Sequence, residues 1–120
     1  FNNRKFSLKY RKFKMIKVIS APRFPKNFHR EMKKTIFEDD RTKIESIVSP
    51  AGFSDPKEKW YNQEYDEWVM VMGGVADLLF EDGKLRRMEK GDSTYIPAHT
   101  KHRVERAHHR TEWLAIFYKK

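Results

Sequence analysis

Beyond residue 41 the apolar positions fall into short runs, most of them alternating with polar ones. Thr42–Ser49 (TKIESIVS) is rich in β-branched residues and stops at Ser49-Pro50-Ala51-Gly52, a turn signal. Glu67–Met72 (EWVMVM) reads as a strand, is interrupted by Gly73-Gly74 and resumes as Val75–Phe80 (VADLLF). Glu81-Asp82-Gly83-Lys84 supplies hairpin chemistry, because Asp-Gly tolerates the positive φ of a tight turn. Leu85–Met88, Ser93–Ile96, His102–Arg106 and Glu112–Tyr118 complete the series, separated by Lys90-Gly91-Asp92, Pro97 and a polar turn. Strands at roughly 8–12-residue intervals with turns between them predict an antiparallel sandwich or barrel. An α/β layout needs helices of about 10–15 residues between strands, and residues 67–118 leave no space for them. The body is expected to be all-β.

The earlier part of the chain is less regular. Ala21–Asn27 (APRFPKN) is a Pro-punctuated loop. Phe28–Asp40 carries Met32, Ile36 and Phe37 among charges, at a spacing that suits either a short amphipathic helix or an irregular edge segment. Periodicity alone does not choose between them.

Charge sharpens this division. The 120 residues carry a formal charge of +9, but residues 1–34 hold twelve Lys/Arg against the single acid Glu31, and residues 35–120 are slightly acidic. Phe1–Lys14 has six basic residues, no acid, and aromatics at Phe1, Phe6, Tyr10 and Phe13. Residues 1–14 are therefore read as a basic tail, solvated or upstream of a natural start at Met15. A basic-arm role on nucleic acid or anionic lipid is the functional alternative, through counterion release and stacking. Residues 15–120 are read as one domain. The chain contains no Cys, which removes disulfides, thiolate metal sites and thiol nucleophiles and is consistent with a cytoplasmic setting. No apolar run approaches the roughly 18 residues of a transmembrane span.

Two stretches resemble the paired motifs of the cupin superfamily of small jelly-roll barrels. The second cupin motif runs Gly, five residues, Pro-x-Gly, two residues, His, three residues, Asn. Here Gly91, Pro97 and His102 fall in register, with His99 in place of Gly and Arg106 in place of Asn. The first motif runs His-x-His, three or four residues, Glu, six residues, Gly. Glu67 and Gly74 match it, but both histidines are missing: their places hold Tyr61 and Gln63 at one spacing, Trp60 and Asn62 at the other. The string from WYNQEYDEWV to EWLAIFY is similar to a bacterial subgroup of small single-domain cupins, over about residues 44–118. The resemblance implies a jelly-roll (double-stranded β-helix) barrel, preceded by a short irregular or helical N-terminal segment.

It also implies a site. Gln63, Tyr65 and Glu67 share parity, so an extended segment would turn all three to one face. In the resembled fold that face is the lumen, and His102 comes from a strand across it. A carboxylate and an imidazole meeting there could hold a divalent ion such as Zn, Fe, Mn or Ni. Glu67, His102, Gln63 and His99 would be its ligands, a poorer set than the three His and one Glu of most cupin metal sites. Without metal, Glu67 and His102 would hydrogen-bond within a polar lumen or act as an acid–base pair. Trp60, Tyr61 and Gln63 would contact ligand, the aromatics alternatively serving as packing. His108-His109 reads as a solvated turn. No phosphate loop, nucleophile elbow or His-Glu-x-x-His occurs.

The functional expectation is a small cupin that binds a small polar molecule in its lumen, with a weakly held divalent metal and metal-dependent catalysis as one version. A non-catalytic binding or sensory cupin without metal is the other. A homodimer is expected because jelly rolls leave sheet edges to cover, with Met15–Ile19 (MIKVI) able to supply an edge strand.

Overall fold

The structure is a computed structural model, and it describes residues 18–120. Eight strands follow one another without a helix: β1 (Met32–Glu38), β2 (Thr42–Ser49), β3 (Asp66–Gly73), β4 (Val75–Phe80), β5 (Leu85–Glu89), β6 (Ser93–Ile96), β7 (His102–Ala107) and β8 (Thr111–Tyr118). They form a five-stranded sheet, β1-β2-β8-β3-β6, and a three-stranded sheet, β5-β4-β7. Every named strand pairing is antiparallel. This is the all-β antiparallel sandwich expected from the strand spacing and the jelly roll that the resemblance implies, with its two sheets as facing layers.

Of the two readings of Phe28–Asp40, the edge segment holds and the helix does not: residues 28–31 are irregular and lead into a strand at the sheet edge. That strand is β1, paired to β2 from Met32↔Val48 to Glu38↔Lys43 with a bulge between Thr35 and Phe37. The apolar spacing that suggested a helix is a multiple of the strand period as well. The basic leader and its suggested nucleic-acid or lipid role lie outside the described residues, as do Met15–Lys17. Val18 and Ile19 are exposed and belong to no strand.

The inward faces follow from register. Ile47 of β2 lies opposite Trp113 of β8, which lies opposite Val71 of β3. Leu78 of β4 faces Val104 of β7 across their ladder. With Val69, Ala76, Met88, Ile96, Ala107 and Ala115 these side chains form one buried core, the period-2 outcome of two sheets packed face to face. Gly74 makes the sharp step from β3 in one sheet to β4 in the other. Its φ is +89°, and a Cβ there would lie 2.3 Å from the Arg110 carbonyl oxygen, so only glycine fits.

Candidate functional site

One step along each strand from this core, the inward positions turn polar. Glu67 is the second residue of β3, held between Ile96 of β6 and Phe117 of β8. His102 opens β7 opposite Phe80 of β4. The two residues come from different sheets, yet His102 Nε2 lies 3.4 Å from Glu67 Oε1, with side chains only 7% and 8% exposed. They meet at a lumen cavity of about 70 Å³ whose walls include Tyr61, Gln63, Val69, Leu78, Trp113 and Phe117.

The loop before β3 contributes through backbone and side chain. Tyr61 forms an isolated bridge with His102, its N–H donating to the His102 carbonyl at 2.8 Å. The imidazole then sits between Tyr61 and Phe80, with ring centroids 5.8 and 6.0 Å away. Gln63 Nε2 donates to Glu67 Oε1 at 2.9 Å. Tyr65 is not in the lumen wall: the chain bends at residues 64 and 65, and Tyr65 lines a neighbouring cleft with Gln63, 38% exposed, with the Lys119 ammonium 5.1 Å from its ring centroid.

The protonation of the pair is constrained. His102 Nδ1 lies 2.8 Å from the Thr100 carbonyl oxygen, which can only accept, so Nδ1 carries hydrogen. In a neutral ring Nε2 would then turn a lone pair toward a carboxylate. Burial acts to lower the His102 pKa. The Glu67 hydrogen bond, the Thr100 carbonyl and the charges of Glu67 and Asp55 outweigh it, and the net shift is upward from 6.5. The shift favours the charged imidazole, which faces Glu67 Oε1 at 3.4 Å at the wall of the lumen.

Two residues missed by sequence reasoning also line the cavity, Glu31 and Lys33. Ser49 Oγ donates to Glu31 Oε2 at 2.8 Å, and accepts from Trp113 Nε1 at 3.1 Å. Desolvation raises the Glu31 pKa, more than the Ser49 hydrogen bond and the Lys33 charge lower it. Tyr61 is likewise pushed up by burial, then by the charges of Glu31 and Asp55. The Lys33 and Lys59 ammoniums lie 5.0 and 5.2 Å from its ring centroid. The signal for Glu31 was its isolation as the one acid in the first 34 residues. Lys33, Gln63 and Phe117 also border a second cleft of about 400 Å³, with Arg41, Lys43 and Glu45 in its wall, so the lumen has a vestibule.

The other candidates are placed elsewhere. His99 is exposed and absent from the lumen wall. Its φ of 63° makes it the left-handed residue of the turn after β6, the role glycine has in the motif it resembles, and its N–H donates to the Gln63 carbonyl at 2.8 Å. Trp60 is outside the lumen wall too, its ring 5.6 Å from the Arg103 guanidinium carbon. His108 is more than a solvated turn residue, since its Nε2 lies 2.8 Å from Asp77 Oδ2.

A divalent ion would need more than this site offers. Two ligands of one ion with bonds of about 2.1 Å stand about 3–3.5 Å apart, so the Glu67–His102 separation is suitable. The donor count is not. No group of three or more His, Cys, Asp or Glu that could hold a metal occurs among the described residues, and Gln63 turns its amide nitrogen, not its oxygen, to Glu67. These residues do not make a resident metal site.

No helix among the described residues is long and apolar enough to cross a membrane. The family model for the cupin domain matches residues 46–117. Among solved structures, a Ralstonia eutropha protein provisionally named a mannose-6-phosphate isomerase is 36% identical, with 80% of this chain and 91% of that one covered at a TM-score of 0.74. A cupin superfamily protein from Desulfitobacterium hafniense is 18% identical, over 81% of this chain and 84% of that one, at 0.70. The dimethylsulfoniopropionate (DMSP) lyase DddQ from Ruegeria pomeroyi is 20% identical, over 76% of this chain and 47% of that one, at 0.65. No curated protein matches the sequence. The chain belongs to the cupin family.

Proposed function

We propose that this cupin binds a small polar molecule whose reactive or recognised end enters the lumen and meets the Glu67–His102 couple directly, without a resident metal. The observation that carries the reading is the 3.4 Å approach of Nε2 to Oε1 with the opposite ring nitrogen fixed on Thr100. A couple so arranged offers a bound hydroxyl or carbonyl oxygen a proton from Nε2 and an acceptor in Glu67. Its chemistry, if the ligand is turned over, is proton transfer. Gln63 holds Glu67 in place, and Tyr61 with Phe80 holds the imidazole plane.

Size limits the ligand. The lumen cavity is small, about 70 Å³. Only a head group of a few atoms fits, and the remainder of a larger ligand would lie in the vestibule beside Lys33, Arg41 and Lys43. The isomerase name of the Ralstonia neighbour and the lyase name of the Ruegeria one support including mannose 6-phosphate and DMSP among the probes. Thermal shift with these, small carboxylates and polyols tests the proposal, because a ligand that prefers the folded state raises the melting temperature. At least one probe should stabilise the native chain and lose its effect in Glu67→Gln and His102→Gln. Equal stabilisation of native protein and both variants refutes a lumen site at this couple.

A further inference from the structure

Lys33 stands where three cavities meet. It lines the lumen, the vestibule of about 400 Å³, and an outer cleft of about 580 Å³ that also touches Glu31, Tyr61 and Lys59. Lys33 pairs with Ile47, a core residue, so it faces inward. Glu31, two residues earlier, shares that face and falls opposite Ser49, which explains the hydrogen bond between them. Ser49 is fully buried. The Trp113 indole N–H can only donate, so the Ser49 oxygen accepts from it and the Ser49 hydrogen is left for Glu31 Oε2. A fixed carboxyl group and an ammonium roughly 7 Å along the strand thus form the β1 end of the lumen. No ion pair to either occurs among the described residues.

Tyr61 gauges the distance to the Glu67–His102 end. Lys33 Nζ is 5.0 Å from the centre of its ring and the His102 ring centre 5.8 Å from the same point, so ammonium and imidazole lie within about 11 Å of each other. Hydrogen bonds of about 2.8 Å at each end leave about 6 Å at most between the polar atoms of a molecule that touches both. At about 1.5 Å per bond this is the reach of a chain of roughly two to four carbons.

We infer, resting on the lumen site proposed above, that the ligand is a short hydroxy or oxo acid whose carboxylate lies on Lys33 and Glu31 while its hydroxyl or carbonyl oxygen meets the Glu67–His102 couple. Lys33 supplies the opposite charge. Glu31 is a hydrogen-bond donor in its protonated form, which burial favours. Lys33 on its own strand, Ser49 on β2 and Lys59 in the loop before β3 oppose that form, and Asp55 in the same loop supports it. Glu67 and His102 face it across the lumen, and His29 and Arg30 border the outer cleft. A carboxylate arriving beside Lys33 shares the Glu31 proton, as two carboxyl groups in one site do.

Isothermal titration calorimetry on the full chain tests this with glycolate, lactate and 3-hydroxybutyrate, beside ethylene glycol, 1,2-propanediol and 1,3-butanediol, in which a hydroxymethyl group replaces the carboxylate. At about pH 5.5 at least one acid should bind about tenfold or more tighter than its diol. Lys33→Met, at an exposed position, should remove that preference and leave diol affinity unchanged. Native affinity for the acid should fall between about pH 5.5 and about pH 8 more steeply than that of Glu31→Gln, whose amide donates at every pH; His102 titrates in both proteins, so the difference belongs to Glu31. Equal binding of acid and diol, a preference that survives Lys33→Met, or equal pH slopes in native protein and Glu31→Gln overturns the inference. So does inorganic phosphate bound more tightly than every acid, or no acid bound at about 10 mM. Diols that bind without an acid preference and are lost in Glu67→Gln would keep the couple and strike the carboxylate end. An acid preference undiminished in both Glu67→Gln and His102→Gln would strike the couple and keep the carboxylate end.

Discussion

Converting Glu67 to Gln tests the charged pairing with His102 directly. The amide keeps the shape, but Gln63 and His102 approach the same oxygen, so it can either accept from Gln63 or donate to the lone pair of a neutral His102, not both. What disappears is charge. Hydrogen bonds to charged groups contribute about 1.5–3 kcal/mol and neutral ones about 0.5–1.5, so the exchange should cost about 1–2 kcal/mol at a pH where the native couple is charged. The side chains are only 7% and 8% exposed, so solvent screening reduces this little. The pH dependence fixes the sign. A His102 pKa raised above 6.5 contributes stability that is fully present below 6.5 and is lost as pH rises through the folded value. The variant should therefore be weaker than native protein near about pH 5.5 and approach it near about pH 9. Urea melts at both pH values, with NMR titration of the His102 ring, measure the two halves of the claim. A native His102 titrating below 6.5, or a Glu67→Gln deficit that does not shrink with pH, would refute the assignment.

Three further expectations follow from other parts of the fold. Gly74→Ala puts a Cβ 2.3 Å from the Arg110 oxygen at a φ of +89°, and should destabilise by roughly 3 kcal/mol or more in chemical denaturation. His99→Gly relieves a left-handed residue and should raise stability by about 0.5 kcal/mol, the strain gained back being partly offset by a freer unfolded chain; it should leave probe binding unchanged. Asp77→Asn loses the Arg87 and His108 bonds to a carboxylate whose pKa those partners hold down, the Arg87 bond foremost. Because stability from a lowered pKa is present above about 3.8 and lost as pH falls through the folded value, its cost of about 1 kcal/mol should be seen at neutral pH and vanish in strong acid. Elemental analysis of protein purified without chelator should find less than one divalent ion per chain, and a stoichiometric ion removed by His102→Ala would overturn the metal-free reading.

The strands were legible because turn chemistry and alternation agree from residue 42 onward: β2 and β6 begin and end where the β-branched and aromatic runs do. β1 was not, because its outward apolar residues Met32 and Phe37 stand five apart across a bulge that breaks the strand alternation, and its inward Lys33 is charged. Glu67 and His102 could be paired only through the resemblance to the cupin motifs, which implies that both face the lumen. Gln63 could be added from parity, though the bend after it meant that parity misplaced Tyr65. Glu31 depends on a chain reversal and on Ser49, 18 residues away, a contact no local pattern encodes. His99 was misjudged for a different reason: histidine suggests chemistry, but the turn asked only for a residue able to take positive φ.

The residues standing where the family's first two histidines would be are what the proposed metal-free reading rests on. A metal between Glu67 and His102 would neutralise the carboxylate and satisfy Nε2. In this chain Gln63 directs an N–H to Oε1 at 2.9 Å, and the raised His102 pKa favours a positive charge on the imidazole facing it. Tyr61 adds no strong donor to the set; it packs against the imidazole and lies among the carboxylates Glu31, Asp55 and Glu67, which keep its hydroxyl protonated. Restoring histidine at both positions, Tyr61→His with Gln63→His, should therefore trade one solution for the other. It removes the amide that holds Glu67, adds two imidazoles to the lumen wall, and completes a three-His, one-Glu donor set with His102. The double variant should gain zinc-dependent thermal stabilisation that the native chain lacks. If zinc stabilises both proteins equally, the native residues already hold the ion, and the argument from donor count fails.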